Sequence, residues 1–144
     1  MGTWTKVVVG VDGSEHSNRA LAWAADEARE HGCGLTVLTT WTPPVALVGP
    51  GYSSEPWYVE SDLSLAMGRL QTDAVEAVLG SDPGLPLESH VIEGHAAKRL
   101  VEISADADLL VVGSRGHGGF SGMLLGSVSQ HLAAHAKCPV VVVR

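Results

Sequence analysis

The chain predicts an α/β fold: an open, parallel, five-stranded sheet in the order 3-2-1-4-5, with helices on both faces. Three observations carry that expectation. Short β-branched runs alternate along the sequence with stretches whose apolar residues recur at helical spacing, the pattern of repeated strand, helix and parallel strand with right-handed crossovers. Four of the runs, at 6–11, 35–41, 109–112 and 140–143, are rich in apolar residues, as strands covered on both faces must be, whereas the run at 87–93 is polar. Two of the runs end in glycine turns, at Gly10 and at Gly113, and setting these two side by side at the centre gives the order above.

Lys6 to Val11 is the first strand, closed by Gly10, Asp12 and Gly13. From Ser14 to His31 the residues Ala20, Leu21, Ala24 and Ala28 share one helical face, and Gly32 and Gly34 stop the helix. Leu35 to Trp41 is the second strand. Thr42 to Ser61, with Pro43, Pro44, Pro50 and Pro56 beside Gly49 and Gly51, reads as a long loop, and loops of such length are more often functional than not. Asp62 to Leu79 is the second helix, its apolar face made by Leu63, Met67, Leu70, Ala74 and Val78. In the third strand, Leu87 to Glu93, the residues Glu88, Ser89 and His90 are too polar for a strand buried on both faces and mark a sheet edge. That argues against the competing order 2-1-3-4-5, which would bury them. Ala97, Leu100, Val101 and Ser104 form the face of a third helix, followed by strand Leu109 to Val112, helix Ser127 to His135 and strand Val140 to Val143.

The 144 residues suit one domain spanning 1–144. A net charge of −7 without any basic run argues against attraction to nucleic acid or to an anionic membrane. Cys33 and Cys138 stand apart from each other and from any CxxC spacing, which fits a reducing compartment and argues against a disulfide framework or a zinc site. With no charged leader and no apolar run of about 18 residues, a cytoplasmic protein is expected.

Between the fourth strand and the last helix lie Gly113, Gly116, Gly118, Gly119, Gly122 and Gly126, more glycine than a turn needs. Glycine lets main-chain N–H groups crowd an anion, and a helix N-terminus offers unpaired N–H groups and a positive dipole end. A phosphate group is the expected guest, in the crevice beyond the carboxyl ends of the first and fourth strands, where the strand order reverses. Blander roles compete. Asp12 with Glu15, and Ser127 with Gln130, have the spacing of capping boxes for the helices they precede. His131 and His135 share a helix face, but HLAAH lacks the glutamate of the HExxH zinc pattern and no third ligand is evident. GxxxxGK[ST], the dinucleotide fingerprint GxGxxG and the loop SGGxDS are all absent, which removes P-loop NTPases, NAD enzymes and adenylating ligases. No nucleophile, base and orienting group can be assembled, so no catalytic residue is assigned.

Three segments in order, GVDGSEHSNRALAWAADEA, ADLLVVGSRGHGG and LLGSVSQHLAAHAKCPVVVV, together with Gly113-x2-Gly116-x9-Gly126-Ser127, resemble the universal stress protein family and its nucleotide-binding signature. The resemblance implies a Rossmann-like sheet, ATP with Mg2+ as ligand and a homodimer joined through Val140 to Val143. It places Gly10, Val11 and Asp12 beside the ribose, Asp12 also being the candidate magnesium ligand, and Thr40 beside the adenine, near Trp41. Main-chain groups at Gly113, Ser114, Arg115, Gly116, Gly118 and Gly119, then Gly126, Ser127, Val128 and Ser129, wrap the triphosphate. Many relatives carry arginine where this chain has Met123, which leaves Arg115 and His117 as the charge partners for phosphate. The implied function is regulatory and nucleotide-dependent, within stress response. A slow ATP hydrolase, and an interaction module binding AMP, a cyclic nucleotide or none, are the alternatives.

Overall fold

The structure, a computed structural model, describes residues 3–43, 60–115 and 126–144. Its elements run β1 (Lys6–Gly10), α1 (Glu15–His31), β2 (Gly34–Trp41), α2 (Glu60–Leu79), β3 (Leu87–Glu93), α3 (Ala96–Ser104), β4 (Leu109–Gly113), α4 (Ser127–His135) and β5 (Val140–Val143). All pairings are parallel and the order is β3-β2-β1-β4-β5, as expected from the sequence.

Strand alternation divides the core in two, because successive residues of a strand point to opposite faces. Val7, Val9, Leu35, Val37, Leu109 and Val111 meet α1 and α2 on one face; Val8, Leu38, Leu110 and Val112 meet α3 and α4 on the other. Helix α1 presents Ala20, Ala24, Ala25 and Ala28 to the sheet, all fully buried, and side chains this small let the helix lie close to β1 and β4. Leu21, also fully buried, anchors it, a burial worth about 1.5–3 kcal/mol. On the opposite face Leu100 of α3 and Leu132 of α4 do the same. Strand β3 is an edge with Glu88, Ser89 and His90 exposed, and β5, the other edge, is half-buried along its whole length.

Element boundaries shift slightly from expectation. Val11 falls outside β1, although it stays buried and its N–H still donates to Leu38 O at 2.9 Å. Helix α2 begins at Glu60, so residues 60 and 61 of the expected loop are helical, while 44–59 lie outside the described residues. The α2 face contains one polar residue that hydropathy could not nominate. Gln71 is buried, and its amide donates to Val37 O at 3.3 Å and His90 O at 2.9 Å, tying the helix to β2 and β3. At the amino edge of the sheet, the Asp108 carboxylate accepts from Thr5 N at 2.7 Å and Lys6 N at 3.0 Å, and these two donors hold its pKa below the usual aspartate value. Trp4 stacks on His31 at 3.7 Å. Trp4 and Trp23 pack against the α1 core and Trp41 is 9% exposed, as packing residues would be; Trp57 lies outside the described residues.

Candidate functional site

Because β1 pairs with both β2 and β4, its carboxyl end sits where the strand order turns, with Gly10 and Gly113 at the ends of neighbouring strands. The chain leaves β1 for α1 on one face, and leaves β4 for α4 on the other. Two helix N-termini therefore start at this switch point, where an open parallel sheet has its crevice.

The glycines at these strand ends serve packing. A Cβ at Gly113 would lie 2.7–2.9 Å from the backbone carbonyl and Cβ of His16, so only glycine lets the first turn of α1 approach β4 this closely. A Cβ at Gly10 would press on Leu100 of α3 at 3.3 Å. Glycine excess in this chain thus has a cause besides ligand access.

The α1 terminus is closed by its own side chains. Ser14 is the N-cap: its hydroxyl accepts from Ser17 N at 3.2 Å, and the Ser17 hydroxyl returns to Ser14 O at 3.1 Å and accepts from Asp12 N at 3.2 Å. Asp12 turns the chain into this cap, its Oδ1 accepting from Ser14 N at 2.8 Å. The competing role of Asp12 and Glu15 as a capping box is not realised, because the N-cap is Ser14, two residues on. Glu15 instead pairs with Arg19, whose guanidinium lowers its pKa. Asp12 itself stands half-buried at the crevice beside Val11, whose carbonyl accepts from the buried Thr39 hydroxyl at 2.8 Å.

Helix α4 begins differently. Its N-cap is Gly126, in extended conformation, with no side-chain cap among the described residues; Ser127 is already helical, so it is not the N-cap of a capping box with Gln130. Ser127 is exposed, Val128 half-buried, and Ser129 is buried with its hydroxyl on Gly113 O at 2.7 Å. Ser114 joins the surrounding pieces. Its N–H donates to Val143 O at 2.7 Å, its carbonyl accepts from Gly126 N, and its hydroxyl lies 3.0 Å from His16 Nδ1. Next to it, Arg115 Nε is buried, and among the described residues it has no hydrogen-bond acceptor.

Of the residues expected at the site, Gly10, Val11, Asp12, Gly113, Ser114, Arg115, Gly126, Ser127, Val128 and Ser129 come together at this edge of the sheet. Gly116, His117, Gly118 and Gly119 lie outside the described residues. Thr40 is half-buried near the end of β2 and shares the α3 and α4 face with Leu38. Trp41 falls on the opposite face, where with Val91, Glu93 and Glu60, Ser61 and Ser64 of α2 it lines a cavity of about 460 Å³. His131 and His135 are exposed with ring centroids 4.4 Å apart, and no group of three metal-ligating side chains occurs among the described residues. Burial raises both thiol pKa values, at Cys33 and at Cys138, so neither is an activated nucleophile. His16 was not expected here, and no sequence spacing could have nominated it. It reaches Ser114 because β1 and β4 are neighbours.

A model of the universal stress protein family matches residues 3–144, the whole of this architecture. The chain belongs to the universal stress protein family. A universal stress protein of Mycobacterium tuberculosis is 39% identical over 141 residues, which are 96% of this chain and 45% of that protein. The chain therefore spans about half the length of such curated relatives. Among solved structures, the universal stress protein UspA from Lactobacillus plantarum shares the fold, with a TM-score of 0.78 at 20% identity over the full length of both chains. A universal stress protein in complex with cAMP superposes with a TM-score of 0.67 at 29% identity, covering 99% of this chain and 98% of that one. No helix among the described residues is long and apolar enough to cross a membrane.

Proposed function

We propose that this universal stress protein domain is a regulatory module that binds an adenine nucleotide, ATP with Mg2+, in the crevice between the ends of β1 and β4. One observation carries the reading: among the described residues, a buried Arg115 Nε–H has no acceptor, and the α4 N-terminus, tied to the preceding residue Ser114 through Gly126 N–H, has no side-chain cap. A buried donor left unpaired is costly, and an uncapped helix start favours anions. An anion answers both. The relative solved with cAMP supports an adenine nucleotide as its class.

In this reading the N–H groups of Ser127, Val128 and Ser129 and the guanidinium of Arg115 face phosphate, Gly10, Val11 and Asp12 border the ribose, and Thr40 borders the adenine. The Asp12 carboxylate suits Mg2+, a hard cation that takes one or two carboxylates together with substrate phosphates and water. Ser114 contributes as scaffold, since its own N–H and carbonyl have protein partners. Calorimetry with ATP, AMP and cAMP tests the proposal. ATP binds the parent, and Arg115→Gln weakens it about tenfold to a hundredfold, the loss of one charge-assisted hydrogen bond, at unchanged Tm. A parent that takes up none of the three nucleotides overturns it.

The partner proposed for β5 is a second copy of the chain. Pro139 O and Val143 O face β4, accepting from Leu110 N and Ser114 N, so the main-chain groups of Val140 and Val142 point away from the sheet. An apolar edge with outward N–H and C=O groups invites pairing, and two copies related by a two-fold axis close it. Val142→Pro removes one outward donor without touching the β4 ladder. It converts dimer to monomer by sedimentation velocity; a parent monomeric at micromolar concentration, or a dimeric variant, rejects this interface.

A further inference from the structure

His16 reaches the base of the glycine segment from another element, and its position there follows from two packing facts. Gly113 has no Cβ, so the first turn of α1 lies against the end of β4. The imidazole then meets the Ser114 hydroxyl at 3.0 Å, on a residue only 2% exposed. We infer that His16 is a positioning residue for the N-terminus of α4, acting through Ser114; the inference rests on the nucleotide reading above.

Ser114 is the joint between the pieces that would surround a phosphate. Its carbonyl receives the N–H of Gly126, so residues 114 and 126, the two ends of the glycine segment, are held together. Gly126 is also the N-cap of α4, and Ser129 in the first turn of that helix donates to Gly113 O at 2.7 Å. The direction of the uncapped α4 N–H groups is thus referred to residues 113 and 114, and the side chain of 114 is referred to His16. The hydroxyl has one hydrogen, and among the described residues its hydrogen-bond partner is His16 Nδ1. A buried hydroxyl is satisfied when it donates there, which puts the imidazole proton on Nε2 and makes Nδ1 the acceptor. Removing the ring leaves the hydroxyl buried and unpaired, free to seek an acceptor among the carbonyls that now hold Gly126 and Ser129. The geometry of the anion site loosens without any residue that touches the anion being changed.

The assignment to Nδ1 makes the test specific, because an asparagine amide reaches the place of Nδ1 and a glutamine amide the place of Nε2. ATP affinity by calorimetry and Tm by calorimetric scan are measured on the full chain for His16→Asn, His16→Gln, His16→Leu, Ser114→Ala and the pair His16→Leu with Ser114→Ala. His16→Asn keeps the parental affinity. His16→Gln and His16→Leu each weaken it about tenfold, and adding Ser114→Ala to His16→Leu weakens it no further, because the two residues act as a unit. If all three His16 variants bind ATP as the parent does, whatever their Tm, His16 is a packing residue and the inference is overturned while the nucleotide reading stands. If the parent binds neither ATP nor inorganic tripolyphosphate, the nucleotide reading falls and the inference falls with it.

Discussion

Helices α1 and α4 start at the same edge of the sheet, beside adjacent strand ends, yet their first turns are finished in opposite ways. At α1, Ser14, Ser17 and Asp12 form a closed set of hydrogen bonds around the terminus, and Glu15 adds a negative charge to the first turn. At α4 the cap is a glycine, no side-chain cap is present among the described residues, and no acidic residue sits in the first turn. An N-terminus capped by its own chain has spent its donors, and a carboxylate in its first turn would compete with phosphate. The contrast separates a terminus closed by its own side chains from one without a side-chain cap among the described residues, and in the proposed site it gives the two sides different work. Under the proposed reading, Asp12 and its neighbours would supply oxygen, whereas α4 and Arg115 would supply N–H groups.

The largest effect expected is from Gly113→Ala, which attacks what holds the two termini in one place. The added methyl would meet His16 backbone, which cannot swing aside as a side chain end could. Overpacking of this kind costs about 1–3 kcal/mol or more, so Tm falls by about 5–10 °C. Nucleotide binding falls as well, because α1 and β4 separate. An alanine variant with parental Tm would mean that α1 sits farther from β4 than described.

A paired substitution sharpens the contrast directly. Ser14→Ala removes the α1 cap and costs about 1 kcal/mol of stability, with ATP affinity unchanged. Gly126→Asp places a carboxylate at the α4 N-cap, where the extended backbone accepts any residue. It adds about 0.5 kcal/mol through the helix dipole while weakening ATP at least about tenfold, since the new side chain takes the donors and repels phosphate. Denaturant titration and calorimetry on the same samples check both. Should Ser14→Ala weaken ATP as strongly as Gly126→Asp, the division of labour between the termini is wrong.

How far the sequence foretold this arrangement depends on whether a feature is local. Strand β3 announced its edge position through Glu88, Ser89 and His90, and the alanine face of α1 was readable from spacing alone, because burial selects residue type position by position. Gly126 could be placed at the start of α4 because glycine and serine there break one periodicity and begin another. The cap of α1 stayed open, with Asp12 as a candidate and Ser14 not named, since both residue types cap helices and only backbone conformation decides which one does. Gln71 on the α2 face and His16 beside Ser114 were not legible. Each answers a partner in a distant segment, Gln71 the carbonyls of β2 and β3 and His16 a hydroxyl 98 residues away, and nothing in the local pattern records such a partner. Gly113 was legible as glycine, but its packing role was not, for the backbone of α1, a long-range neighbour, is what excludes its Cβ.

The smallest effect concerns the charge that distinguishes the two first turns. Glu15 is held below the usual glutamate pKa, first by its hydrogen bond to Arg19 and then by that residue's charge. A carboxyl whose folded pKa is depressed contributes stability that is present above its unfolded value, about 4.3, and is lost as pH falls through the folded value. The pair is exposed, at 47% and 79% for the two side chains, so solvent screens most of its strength. Glu15→Gln therefore leaves Tm near the parental value at pH 7, and makes the decline of Tm below about pH 4.3 slightly shallower than in the parent. ATP affinity does not change, because the α1 terminus is already closed by Ser14. A gain in ATP affinity on removing this charge would show that phosphate lies close to the first turn of α1 as well, and the crevice would then draw on both helix termini.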